Sequence, residues 1–153
     1  VTTFLDPETD PLGAGYNSIQ SMISVGSGRL LGRGLGEGVQ TQLAFLPEKH
    51  TDFIFAAISE ELGFLGAILI LTLSFVLFLN LAGYVSKARD PSARAYTTGV
   101  FLILLAQTII HIGMNMGLFP ITGVPLPFVS AGGSSIIGTF MSIAIVIKSK
   151  KEV

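Results

Sequence analysis

Residues 62–81 read LGFLGAILILTLSFVLFLNL, and this stretch decides the fold. Its polar members are Thr72, Ser74 and Asn80, and none of its 20 residues is charged. A helix of that length matches a bilayer hydrocarbon core of about 30 Å. Working outward, residues 96–116 carry no formal charge at neutral pH, and residues 136–147 form a third apolar stretch that ends at Lys148. Half of the 153 residues are apolar and 12% are charged, against about 25% charged in soluble domains. These features exclude a soluble enzyme. They predict an all-α integral membrane protein, a polytopic helix bundle of about three transmembrane helices plus a large extracytoplasmic loop.

The segments divide as follows. Residues 1–52 are polar and rich in Gly and Pro, and form the loop; Ile19, Met22 and Ile23 stand at helical spacing and predict a short interfacial helix within it. Residues 53–82 form the first transmembrane helix and residues 83–95 a short loop. Residues 96–116 form the second helix, and residues 117–133 an irregular or re-entrant loop. Residues 134–147 form the last helix, followed by a tail, residues 148–153. The prolines and glycines of residues 118–135, LFPITGVPLPFVSAGGSS, keep that segment from regular helix. Pro125, Pro127, Gly132 and Gly133 are expected to seat the last helix by a close backbone approach at Gly133. The chain starts at Val1 inside what reads as an aqueous loop, so it is expected to be a piece of a longer protein. It contains no cysteine, which excludes disulfides and thiolate metal sites.

Charge sets the orientation. Lys87, Arg89 and Arg94 precede the second helix; Lys148, Lys150 and Lys151 follow the last one. These two segments share a side, and the positive-inside rule makes it the cytoplasm. The acidic, Gly-rich first loop and residues 117–133 then face outward.

The densest chemistry lies in residues 45–63, FLPEKHTDFIFAAISEELG, where the outer loop enters the membrane. Asp52 stands just before the apolar run. A carboxylate there is either an N-cap or a catalytic acid–base group. Glu60 and Glu61 lie two turns into the helix, and Glu60, eight residues after Asp52, lies on roughly the same face as it. They are either solvated at the interface or part of a site, because an ionised carboxylate in hydrocarbon is costly. Glu48, Lys49 and His50 complete the group. Gln107, His111 and Asn115 form one polar stripe on the second helix, suited to interhelical hydrogen bonds or to a cavity. Gly113 and Gly117 fit a small-residue packing face. No second ligand at useful spacing supports a metal at His111. The glycine run GSGRLLGRGLGEG, residues 26–38, lacks the strand and GK[ST] of a phosphate loop and reads as a flexible surface loop. Arg29 and Arg33 within it suit a phosphate.

Two long motifs carry a resemblance. GVQTQLAFLPEKHTDFIFAAISEELG, residues 38–63, resembles the external-loop signature of the SEDS family, which includes RodA, FtsW and their sporulation relative. NMGLFPITGVPLPFVSAGGSS, residues 115–135, resembles the family's second signature, between its last two helices. QTQLAFLPE and the opening FLDPETDPLGAGY are closer to the RodA branch. Ala131 stands where members usually have Tyr. The resemblance implies the large external loop and the last three helices of a multi-pass protein of the bacterial cytoplasmic (inner) membrane. It implies a peptidoglycan glycosyltransferase that polymerises lipid II, the undecaprenyl-pyrophosphate-linked disaccharide peptide, on the extracytoplasmic face for cell-wall elongation and cell shape. It also implies a class B penicillin-binding protein, a transpeptidase, as partner. The family's essential acid falls on Asp52.

The chemistry follows from the substrates. A carboxylate takes the proton of a sugar hydroxyl as it attacks, and cations stabilise the departing pyrophosphate. Glu48, Lys49, His50, Glu60, Glu61, Arg29, Arg33 and Ser134 are candidate substrate contacts. A divalent cation such as Mg is a candidate cofactor, with no certain metal ligand. No nucleic-acid partner is expected, and this piece by itself is expected to be inactive. A lipid II flippase or transporter and a non-catalytic scaffold for the transpeptidase are the competing functions. A polymerisation assay with and without Asp52 separates them.

Overall fold

The structure, a computed structural model, describes residues 14–42 and 50–151. Glu48 and Lys49, the opening residues 1–13 and residues 152–153 lie outside the described residues. Within them the protein is all-helical. Helix α1 spans Ala14–Ser27, α2 Val39–Gln42, α3 Ile54–Lys87, α4 Pro91–Asn115 and α5 Gly133–Lys151. Helices α3 and α4 are long and apolar enough to cross a membrane, and the apolar part of α5, Gly133–Lys148, is shorter.

Three helices differ in extent from the sequence expectation. Helix α3 runs on to Lys87, so the expected loop 83–95 shrinks to residues 88–90. Helix α4 begins at Pro91, not at residue 96. Asp90 is its N-cap, accepting from the Ala93 N–H at 3.0 Å and from the Ser92 hydroxyl, and Pro91 occupies the first turn. A proline costs nothing there because that N–H has no helical partner anyway. The two hydrogen bonds hold the Asp90 carboxyl below the usual carboxylate range. Helix α5 spans 19 residues, about 28 Å at 1.5 Å per residue, and exceeds the expected 134–147 at both ends.

The short connection makes α3 and α4 antiparallel neighbours. Near it, Leu81, Val100, Leu104 and Val146 form a core joining α3, α4 and α5, and Phe78 meets Phe101 edge-on at 6.0 Å. At the other end Phe53, Ala56, Phe55, Ile70 and Leu126 pack with Val25 of α1. Helix α1 does not bury its apolar stripe: Met22 and Ile23 are exposed, whereas Ser21 and Ser24 are buried. Small polar side chains permit the close approach, and a buried hydrogen bond from the Ser21 hydroxyl to the Asn115 carbonyl at 2.9 Å rewards it.

Helix α3 is broken. Gly63 has φ 68° and ψ −159°, far from helical values. The break frees backbone groups on both sides, and residues 29–34 satisfy them. The Arg33 and Gly34 N–H groups donate to the Glu60 and Glu61 carbonyls at 3.0 and 3.1 Å. The Phe64 and Leu65 N–H groups donate to the Arg29 and Leu30 carbonyls at 2.8 and 3.3 Å. The glycine run is therefore fastened into α3 and is not the flexible surface loop expected from composition. A Cβ at Gly28 or Gly32 would strike the backbone at Ser59 or Glu61, and one at Gly63 would strike the Gly32 amide. Gly133 has open space around it, which overturns the close approach expected there.

Candidate active site

Asp52 lies in the turn before α3. The helix N-cap is Phe53, and it makes no side-chain capping bond. Asp52 is thus not the cap that its position invites, and it is not on the helix, so the shared face expected with Glu60 does not exist. Its side chain is half-buried.

Three neighbours hold this turn by its main chain. The Asn115 amide donates to the Asp52 carbonyl at 3.0 Å. The Ser130 hydroxyl donates to the Thr51 carbonyl at 2.8 Å while accepting from the Leu126 N–H at 2.8 Å. The Ala131 N–H donates to the His50 carbonyl at 2.8 Å. All three carbonyls of residues 50–52 are therefore fixed from α4 and from the loop of residues 116–132. The two motifs, far apart in sequence, form one structure.

The carboxylate itself faces the second motif. A Cβ built on Gly123 would lie 3.7 Å from Asp52 Oδ2, so the absence of a side chain leaves room there. The next residue, Val124, presents its carbonyl to His111 Nδ1 at 2.8 Å. A carbonyl only accepts, so Nδ1 carries the proton of that bond. His111 Nε2 is buried without a hydrogen-bond partner among the described residues.

The polar stripe on α4 resolves into separate roles. Asn115 is fully buried and joins four groups: beyond Asp52, its amide donates to the His111 carbonyl at 2.8 Å, and Oδ1 accepts from the Ala56 N–H and the Ser21 hydroxyl, each at 3.3 Å. Gln107 lines a cavity of about 260 Å³ between α4 and α5, with Pro125, Ser135 and Thr139. Gly113 receives the Phe119 ring, and Gly117, already beyond α4, receives Met22.

The other candidates are dispersed. His50 is exposed beside Asp52. Glu60 is fully buried, not solvated at an interface, and its Oε1 accepts from the Gln40 N–H at 2.9 Å. It ties α2 to α3. Glu61 is half-buried and Ser134 is exposed in the first turn of α5. Arg29 and Arg33 share a pocket of about 330 Å³ with Ser27 and Gly32, and Asp52 does not line it. Among the described residues no three His, Asp or Glu side chains group closely enough to hold a metal ion. Ser130 and Ala131 were not marked by the sequence as site residues. Their position within the second motif was the available signal.

The family model of the FtsW, RodA and SpoVE cell cycle proteins matches residues 1–153. The chain belongs to this FtsW/RodA/SpoVE family. Among curated proteins it is 47% identical over 147 residues to the peptidoglycan glycosyltransferase MrdB of Escherichia coli K12, covering 96% of this chain and 40% of that protein. It is 42% identical over 157 residues to a probable peptidoglycan glycosyltransferase FtsW of Wigglesworthia glossinidia brevipalpis, covering 99% of the chain and 40% of the relative. It is 44% identical over 133 residues to the peptidoglycan glycosyltransferase RodA of Treponema pallidum, covering 87% and 31%. The chain thus spans about 40% of the length of the first two relatives. A solved structure described as "Structural coordination of polymerization and crosslinking by a peptidoglycan synthase complex" superposes with a TM-score of 0.78. It shares 29% identity and covers 95% of this chain and 39% of the other. The two stretches whose sequences resemble the family's signatures are those that meet around the turn of Asp52.

Proposed function

We propose that this chain forms part of a peptidoglycan glycosyltransferase of the bacterial cytoplasmic membrane that polymerises lipid II into glycan strands. Asp52 is its general base. The observation that carries this reading is the main-chain clamp on residues 50–52, which holds the Asp52 carboxylate without using it as a helix cap. Relatives named peptidoglycan glycosyltransferases, 42–47% identical, support the same reading.

In this reading α3, α4 and α5 each cross the membrane, and Asp52 lies at the outer surface. The acceptor sugar hydroxyl attacks the anomeric carbon of the donor. A carbon–oxygen bond forms, the bond to the lipid pyrophosphate breaks, and the proton of the hydroxyl passes to Asp52. A positioned carboxylate contributes about 10²–10⁴-fold to such a step. Its orientation depends on Asn115, Ser130 and Ala131. The fully buried Glu60 positions the segment that leads to the Asp52 turn and does not contact the sugar. A class B penicillin-binding protein transpeptidase is the partner in this reading, supported by the synthase complex whose structure this chain resembles.

The deciding experiment is lipid II polymerisation by the full-length protein with its transpeptidase, comparing Asp52 with Asp52→Asn. A loss of about 10²-fold or more supports the general base. Polymerisation at the wild-type rate refutes it.

A further inference from the structure

Backbone hydrogen bonds set the depth of the glycine-rich loop. Its residues 29–34 bond to α3 at Glu60, Glu61, Phe64 and Leu65, and the uncharged apolar run of α3 begins at Leu62. The loop is therefore level with the rim of the hydrocarbon layer, where phosphates give way to acyl chains.

At that level its side chains divide by chemistry. Leu30, Leu31 and Leu35 are 69%, 78% and 76% exposed. Arg29 and Arg33 are also exposed and line their pocket of about 330 Å³. Three bare leucines in one short loop mark a surface meant to be covered. Beside two guanidinium groups, which suit phosphate geometry, they complement an amphiphile with a phosphate head and a hydrocarbon tail. The loop is also preorganised. Arg29 has φ 51°, a region that L residues rarely adopt, and the Phe64 N–H on its carbonyl holds it there.

We propose that Arg29 and Arg33 bind a lipid-borne phosphate, with Leu30, Leu31 and Leu35 set in the acyl layer beside it. The inference rests on the membrane reading of α3 and not on the chemistry of Asp52.

The test uses the purified full-length protein in detergent and three probes. Dioctanoyl phosphatidylglycerol has phosphate and chains, dioctanoylglycerol has chains alone, and inorganic pyrophosphate has phosphate alone. The variants are Arg33→Gln, Arg29→Asn with Arg33→Gln, and Leu31→Ser with Leu35→Ser. Asn tolerates the left-handed backbone at residue 29, and Arg33→Gln alone leaves that position untouched. The wild type should bind phosphatidylglycerol, and the double arginine variant should bind it about tenfold more weakly or worse. The leucine variant should weaken the lipid and spare pyrophosphate, and dioctanoylglycerol should bind poorly. Unchanged lipid affinity in both arginine variants, or equal binding of dioctanoylglycerol, overturns the site. Pyrophosphate binding as tightly as the lipid, with the leucine variant unaffected, makes it a free-anion site and overturns the lipid assignment. So does a leucine variant that keeps lipid affinity but loses a co-purifying protein. Repeating the titration with Asp52→Asn should leave the lipid affinity unchanged, whatever happens to polymerisation.

Discussion

The amide of Asn115 donates to the carbonyl of Asp52 at 3.0 Å, joining the last turn of α4 to the turn that precedes α3. Asn115 is fully buried, and its Oδ1 also accepts from the Ala56 N–H. Its replacement by Leu, which has a similar size, strands a carbonyl and an N–H inside the bundle. Each such buried group costs about 1–3 kcal/mol. Asn115→Leu should therefore lower the melting temperature of the full-length protein and reduce polymerisation with Asp52 intact. A variant with wild-type melting and rate would show that the clamp is dispensable.

Asp52 makes no capping bond, which changes what its removal should do. Asp52→Asn and Asp52→Ala are both expected to insert, fold and bind the transpeptidase, with melting equivalent to within about 0.5 kcal/mol of wild type. Both should lose polymerisation by about 10²-fold or more. A stability loss confined to Asp52→Ala would restore the capping role.

The break at Gly63 divides the glycines by consequence. Gly32 and Gly63 have φ of 78° and 68°, and a Cβ on either would press on facing backbone. Gly32→Ala and Gly63→Ala should each destabilise by more than about 1 kcal/mol. Gly133→Ala should be close to neutral, because nothing lies within 4 Å of its Cβ position. Thermal unfolding of the three variants side by side checks the order. A Gly133 variant that is the worst of the three would contradict the splice.

Sidedness is testable by thiol labelling. Glu37 and Ser86 are both exposed and lie on opposite sides of the membrane in the proposed topology. In a cysteine-free background, Glu37→Cys should react with an impermeant reagent on intact cells and Ser86→Cys should not. Labelling of Ser86→Cys alone would invert the orientation.

The membrane class was legible in residues 62–81 because hydrophobicity is a local property, and 20 uncharged residues have one economical environment. The two motifs around Asp52 and residues 115–135 were legible as patterns, and the non-helical path after α4 followed from its prolines. Tertiary structure decided the rest. Composition made residues 26–38 a flexible loop, yet they satisfy the groups freed where α3 breaks. Position left Asp52 as either a cap or an acid–base group and Glu60 as either a solvated acid or part of a site; Asn115, Ser130 and Ala131 hold the main chain of one turn and Gln40 bonds the other carboxylate. Each of these outcomes pairs a polar group with a partner distant in the chain, 79 residues away in the case of Thr51 and Ser130. Local periodicity reports which face of an element is apolar. It carries no record of which distant backbone group will need a hydrogen bond, because that need arises only when the helices pack and water is excluded.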